Sequence, residues 1–388
     1  MRTLAVSIFA LLLVSCSRAF TSSPLPAPAF RNATMPFATE GTIFSFSGPQ
    51  GEHPEADLIA VKGVLYGTTY GGTNGTGTVF RITPTGALKV LHQFGKGTDG
   101  SQPGTGPLIF VKGDFYGVTT YGGNGDGAVY KISPNGKERV VYRFGNPPDG
   151  DAPYGNLTFV DGNLYGTTTE GGQNDYGTVF RVSLSGKEKV LYSFKGGNDG
   201  QAPFGGLTAV GHTLYGTTRS GGGGSSLGTV FKISLTGHEK VIHRFGGTVH
   251  GDGAAPWSGL TLVKGQLYGT TEAQGASGRW GAVYTITTSG KERVLHSFTD
   301  NPDGGTPLYA NLINVHGTLY GTTQVGGTGP GTVFKITTSG SESVVYSFPG
   351  GSGGEFPYGG VAFLRGRLYG TTYQGGNSDY GTVYSIAP

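Results

Sequence analysis

The 388-residue chain has one cysteine, two methionines and two tryptophans. A single cysteine excludes an intramolecular disulfide and any zinc site built from cysteine pairs, so burial and strand pairing must hold the fold. Charge is sparse, at 13% of residues, and 27 basic against 24 acidic side chains leave a formal +3. No block of five like charges occurs, which removes the electrostatic footprint of a nucleic-acid-binding protein. Also missing are a phosphate-binding glycine loop with its lysine and any His-x-His or His-Glu-x-x-His pair. What the chain has instead is glycine, 75 residues, together with 21 Tyr and 22 Phe. Glycine-rich disordered segments lack such aromatics; short Tyr, Phe, Val, Ile and Thr runs punctuated by Gly, Asn, Asp and Pro indicate an all-β protein.

The one sustained apolar run, Leu4 to Val14 after Arg2, has the length of a secretory h-region and is too short to span a bilayer. It ends in Leu13-Val14-Ser15-Cys16, which resembles a bacterial lipobox and accounts for the only cysteine. The competing reading is ordinary cleavage after Ala19, with Ser17 and Ala19 as the small residues. The sequence therefore predicts a signal peptide over 1–15 with lipidation at Cys16, and a Pro/Ser/Thr tether over 16–39. The expected location is the bacterial outer membrane, as a lipoprotein, or the exterior as a secreted protein. Any membrane contact is through the lipid anchor.

From residue 40 onward one phrase recurs. It is Leu65-Tyr66-Gly67-Thr68-Thr69, with further versions from Phe115, Leu164, Leu214, Leu267, Leu319 and Leu368, at intervals of 50, 49, 50, 53, 52 and 49 residues. A unit of this length with only short apolar runs cannot bury its faces alone and points to an array of blades. The fourth unit predicts strands over 206–210, 214–218, 229–234 and 239–245. Four strands make one propeller blade. The last unit stops at Pro388 after three strands, while Thr42-Ile43-Phe44-Ser45-Phe46 matches Val344-Val345-Tyr346-Ser347-Phe348 position by position. The reading is a seven-bladed β-propeller of four-stranded antiparallel blades over residues 40–388, its ring closed by the N-terminal strand, which removes edges that template aggregation.

The phrase from Leu319 to Ile336, with Leu-Tyr-Gly-Thr-Thr, Gly326-Gly327 and Gly-Thr-Val-Phe-Lys-Ile, resembles the GloVer tandem repeat of bacterial envelope proteins. The resemblance covers about residues 41–388 and implies the architecture; it carries over no catalytic or ligand residue. Kelch-like homology ranks second, because the paired kelch Tyr and Trp landmarks are absent.

Residues repeated in every blade serve a scaffold. The seven motif tyrosines and the seven fourth-strand phenylalanines, Phe46 to Phe348, are expected to pack between blades. His92, His243 and His296 stand where other blades carry Tyr142, Tyr192 and Tyr346, and are read as interchangeable aromatics, with no metal and no cofactor expected. The Asp-Gly pairs at 99, 149, 199, 252 and 303 are read as turns whose carboxylates cap backbone amides, with structural calcium as the alternative.

Symmetry breaks just after Thr-Thr. On the face shared by the loops from strand two to three and from strand four to the next blade, Tyr70, Tyr121, Glu170, Arg219, Glu272, Gln324 and Tyr373 differ from blade to blade. With Trp257 and Trp280 they are the candidate ligand-binding residues, as a polar rim for carbohydrate or peptide. The two tryptophans are read as an exposed platform or as local gap fillers. The functional expectation is a monomeric cell-envelope binding or scaffold module. A propeller lyase or hydrolase using Glu170, Arg219 and Glu272, and a purely structural envelope protein, are the alternatives.

Overall fold

In six of the seven blades the hairpin between first and second strands follows from a two-residue turn in which both residues have positive φ. Lys62, Lys112, Asp161, Lys264, His316 and Arg365 lie at φ 48–53° and are each followed by a left-handed glycine. This geometry matches the twist of paired strands. In the computed structural model, residues 40–388 are described apart from 74, 96–98, 104–106, 124, 225, 250, 276–278, 309 and 310. The leader, Cys16 and the tether lie outside the described residues.

Seven antiparallel four-stranded blades form, joined in sequence order. The fourth blade comprises Thr208–Val210, Thr213–Thr218, Thr229–Ser234 and Glu239–Arg244. The seventh has the spatial order Gly41–Ser45, Thr382–Ile386, Arg367–Thr372, Ala362–Leu364. The N-terminal segment is thus its fourth strand. It carries the register shift found there in every other blade, between Thr42 and Phe44, opposite Tyr384 and Val383; the sibling shifts fall at the Val-Phe or Val-Tyr of each third strand. A bulge bends the strand and increases its twist, and its carbonyl becomes a blade contact. The bulged residues Ile43, Leu91, Val141, Leu191, Ile242 and Leu295 lie against Gly86, Gly136, Gly186, Gly237, Gly290 and Gly340 of the next blade's outer turn. These glycines have φ of 89–106°, and a Cβ on any of them would collide with the facing carbonyl.

Glycine in the Leu-Tyr-Gly-Thr-Thr phrase has a different cause. Gly67, Gly166, Gly216 and Gly321 sit opposite Phe80, Phe180, Phe231 and Phe334 of the third strand, and Gly117, Gly269 and Gly370 opposite Tyr130, Tyr284 and Tyr384. Each ring folds over the glycine, leaving no room for a Cβ. The same ring meets the preceding blade's fourth-strand phenylalanine. Seven edge-to-face contacts, from Phe46–Phe80 to Phe348–Tyr384, run round the molecule at centroid distances of 4.9–5.4 Å and angles of 68–73°. The N-terminal strand supplies Phe46, so the contact crossing the join of the two chain ends equals the other six. Burying each ring contributes about 1.5–3 kcal/mol, and the edge-to-face geometry about 0.5–1.5 kcal/mol more. The motif tyrosines are buried between blades as expected, Tyr66 lying 4.2 Å from Phe115 of the second blade.

The two threonines divide their work. Thr167, Thr217, Thr322 and Thr371 donate to backbone carbonyls of Gly205, Ser258, Gly359 and Ala56 in the next blade. In the five blades whose third strand opens with threonine, the second threonine pairs its hydroxyl with that residue's at 2.8 Å, as in Thr168–Thr178 and Thr372–Thr382. The first strands are shorter than the sequence predicts, three residues instead of five. Near the axis the blades crowd: a Cβ on Gly205 would strike Ser258, and one on Gly206 would strike Asn156. Those residues pack against neighbouring blades instead of extending the ladder.

Candidate functional site

On one face, the loop entering each blade zips to the loop between its second and third strands. Gly150–Pro153 pairs with the strand ending at Gly171, Gly200–Gln201 with Ser220–Gly221, and Asp252–Ala254 with Ala273–Gly275. Single bridges do the same in the other blades: Glu52–Gly71, Ser101–Tyr121, Gly305–Val325 and Glu355–Gln374. The aspartates of the Asp-Gly pairs fix the outer corner. Asp149 accepts from the Gly145 amide and the Tyr142 hydroxyl, Asp199 from the Lys195 amide and Tyr192, and Asp252 from the Gly246 amide and His243. The amide-capping expectation holds, and the fourth-strand His or Tyr is its second partner.

Each entering loop then makes the same backbone turn. The residue before proline is left-handed in all seven blades: His53, Gln102, Ala152, Ala202, Ala255, Thr306 and Phe356 at φ 51–58°. Its N–H bonds back to the preceding blade, as in Ala202 to the Tyr176 carbonyl. Its carbonyl accepts the amide of the residue after Thr-Thr: Tyr70, Thr120, Arg219, Glu272, Gln324 and Tyr373 are all held this way. In the third blade the Thr169 hydroxyl takes that carbonyl. Six of these turns place the residue after proline at the channel mouth or beside it: Glu55, Tyr154, Phe204, Trp257, Leu308 and Tyr358. Sequence reasoning passed over all of these but Trp257, although the recurrent proline marked the position.

Together they form an aromatic arc. The His53 ring stacks on Tyr373 at 4.5 Å, and Tyr373 meets Tyr358 at 4.7 Å, with Gln324 donating to the Tyr358 hydroxyl at 2.9 Å. Burial, then the Glu55 carboxylate and Tyr121, push Tyr70 up to about 12. Burial and Tyr121, to which it is hydrogen-bonded, raise Tyr154 as well. Tyr154 contacts Phe204 at 5.3 Å, and Phe204 contacts Trp257 at 4.5 Å. The Arg219 guanidinium lies 4.2 Å from the Trp257 ring centroid, a cation–π geometry, and Trp257 Nε1 donates to Glu272.

Trp257 is 2% exposed. The exposed-platform reading is corrected: it fills the mouth and orients Arg219 from below. Trp280 is half-buried, packing on the Phe298 and Leu312 cluster and against Gly305, so it is a gap filler outside the arc.

The arc opens into a cavity of about 570 Å³ over blades two to four. Three candidates, Tyr121, Glu170 and Arg219, line it with Tyr154, Phe204, Asp175 and Gln201. At its edge stands Tyr176, 41% exposed and one of two large apolar side chains on the surface among the described residues. Carboxylates gather on the same side. Burial, then Asp126 and Glu170, push Asp151 up to about 6. The Gly171 amide bonds Asp175 at 3.0 Å, fixing that carboxylate against the loop.

The Gloeobacter/Verrucomicrobia repeat profile matches residues 32–228 and 220–388. The chain belongs to the Gloeobacter/Verrucomicrobia repeat family. No curated protein matches the sequence. Among solved structures, this family member is similar to the BP39L lectin from Burkholderia pseudomallei, with TM-score 0.58 and 10% identity over 90% of this chain and 96% of that one. It is also similar to puromycin hydrolase, with TM-score 0.52 and 13% identity over 87% of this chain and 53% of that one, so it spans about half that enzyme's length. At such identities the likeness is one of fold. Among the described residues no helix is long and apolar enough to cross a membrane.

Proposed function

We propose that this protein is an exported cell-envelope binding module whose loop face recognises carbohydrate in the cavity over blades two to four. One observation carries the reading: exposed Tyr176 stands beside the polar groups Glu170, Asp175, Gln201 and Arg219, in a space of about 570 Å³. Sugars offer an apolar C–H face to an aromatic ring and hydroxyls to carboxylate, amide and guanidinium groups. A preformed site spends little ordering entropy on a weakly apolar ligand, and the backbone bonds that pin both loops supply that rigidity. The lectin among the structural neighbours shares this fold and supports the reading by analogy.

A glycan array, followed by calorimetry on the best glycan, tests the proposal. Tyr176→Ala and Arg219→Ala are each expected to weaken binding about tenfold or more. An array without hits, an affinity unchanged in both variants, or retention of peptides in place of glycans would overturn it.

A further inference from the structure

The seams between blades carry a cluster that no single stretch of sequence contains. Five of the seven join the penultimate fourth-strand position (His or Tyr), the aspartate of the following Asp-Gly loop, and the glutamate that opens the next blade's fourth strand. The sets are His92, Asp99 and Glu138; Tyr142, Asp149 and Glu188; Tyr192, Asp199 and Glu239; His243, Asp252 and Glu292; and His296, Asp303 and Glu342. In all five, Oε1 of the glutamate is shielded from solvent; Glu239 is met by the Tyr192 hydroxyl, while Oε1 of Glu292 and of Glu342 has no hydrogen-bond partner. A buried carboxylate oxygen without a donor is costly. Where the seam carries tyrosine, the phenol serves the aspartate at 2.7–2.8 Å and offers no metal-binding nitrogen.

Two seams differ. Among the described residues, one donor atom from each of His243, Asp252 and Glu292 falls within 4.8 Å of the others, and the same holds for His296, Asp303 and Glu342. Their imidazole Nε2 atoms lie 3.1 and 2.8 Å from the aspartates. The donors are already oriented. Each imidazole packs edge-on against the phenylalanine two residues on, His243 on Phe245 at 4.8 Å and His296 on Phe298 at 4.9 Å. Asp252 is held by the Gly246 amide, and Asp303 by the Thr299 amide and hydroxyl.

We propose that these two seams each bind one divalent transition-metal ion of the zinc class, through the histidine Nε2 and one oxygen from the aspartate and the glutamate. One imidazole and two carboxylates form a donor set that zinc accepts, with a fourth position left for water. Calcium and magnesium prefer all-oxygen shells, which disfavours them beside an imidazole. Binding would neutralise two carboxylates that otherwise face each other and would give the glutamate Oε1 a partner. The ion would bridge neighbouring blades, four to five and five to six, acting as a clamp on the ring; this is independent of the loop-face cavity.

The tyrosine seams supply the control. His243→Tyr and His296→Tyr install the residue that sibling blades already carry, so the aspartate keeps a hydrogen-bond donor and the fold is expected to stand. Zinc sulfate is titrated calorimetrically at pH 7.5 into the metal-stripped protein, with melting followed in EDTA and in zinc. The expected result is two equivalents bound and a zinc-dependent rise in Tm. The double variant should lose both equivalents and the Tm rise while melting like the parent in EDTA. No zinc uptake by the parent, or undiminished uptake by the double variant, would overturn the proposal. If the double variant misfolds, Glu292→Gln with Glu342→Gln replaces it, and persistence of both equivalents there has the same force.

Discussion

Asp57 sits on the first strand's approach to the central channel, 4% exposed, where a cavity of about 310 Å³ is lined by the first strands of blades one, five, six and seven. One oxygen accepts the Gly360 amide, and the other, Oδ2, is buried without a hydrogen-bond partner. Burial pushes its pKa from the ordinary 3.8 up to about 7, against a lowering by the Gly360 bond. A carboxyl raised in this way is protonated in the folded state between about pH 4 and 7 while the unfolded chain is ionised. The folded state then binds more protons, so stability falls as pH rises through that window and is level above it. At 1.36 kcal/mol per unit, the full penalty above pH 7 is about 4 kcal/mol, of which about 3 kcal/mol accrues between pH 5 and pH 7. Asp57→Asn removes the charge and keeps the acceptor for Gly360. The equivalent residues before the leucine in blades three and six are already asparagines, Asn156 and Asn311, so the amide fits the position. Its extra N–H, if unpaired, costs about 1–3 kcal/mol, a cost common to all pH values. Urea unfolding of parent and variant at pH 5 and pH 8 isolates the charge: the variant should gain about 3 kcal/mol relative to the parent on going from pH 5 to pH 8. A difference between the two proteins that stays constant across that range would refute the reasoning.

Three further outcomes are expected. Deleting residues 41–47 removes the seventh blade's fourth strand and the Phe46–Phe80 contact, a loss of at least about 3–5 kcal/mol for that ring alone; calorimetry should show the whole domain melting earlier, and a truncated protein that melts like the full one would mean that the ring is not closed this way. Trp257→Ala empties the mouth between Phe204 and Arg219 and should cost about 3–5 kcal/mol in chemical unfolding, whereas a surface platform would lose only binding. Cys16→Ala is expected to move the protein from the membrane fraction to the soluble fraction on cell fractionation, and its retention with membranes would count against a lipid anchor.

Blade count, strand spacing and the strand that closes the ring were legible because each depends on local pattern. A period near 50 residues, four short runs per period and a stray fourth-strand sequence at the start suffice, and the sheet order bears this out. The candidate rim was legible in part. Residues after Thr-Thr were identified because they vary, and Tyr121, Glu170 and Arg219 do share a cavity. Tyr154, Phe204 and Tyr358 escaped because aromatic residues in a repeat look like core. They follow a left-handed residue and a proline, a turn that aims them at the mouth instead of into a blade. For Trp257 the sequence left an exposed platform and a gap filler both open, because loop position suggests exposure; the turn buries the residue following it, and the gap filler holds.

The sequence by itself determined the scaffold, because strand periodicity, turn glycines and paired threonines act over a few residues and repeat seven times. It also determined which position of each fourth strand holds His or Tyr. Only the tertiary structure decided what those side chains meet. The Asp-Gly aspartate and the glutamate of the next blade stand 7 to 9 and some 40 to 50 residues away along the chain, and the ring brings them within 4.8 Å of a histidine at two seams. Stacking one blade on another sets that distance, and no local pattern encodes it.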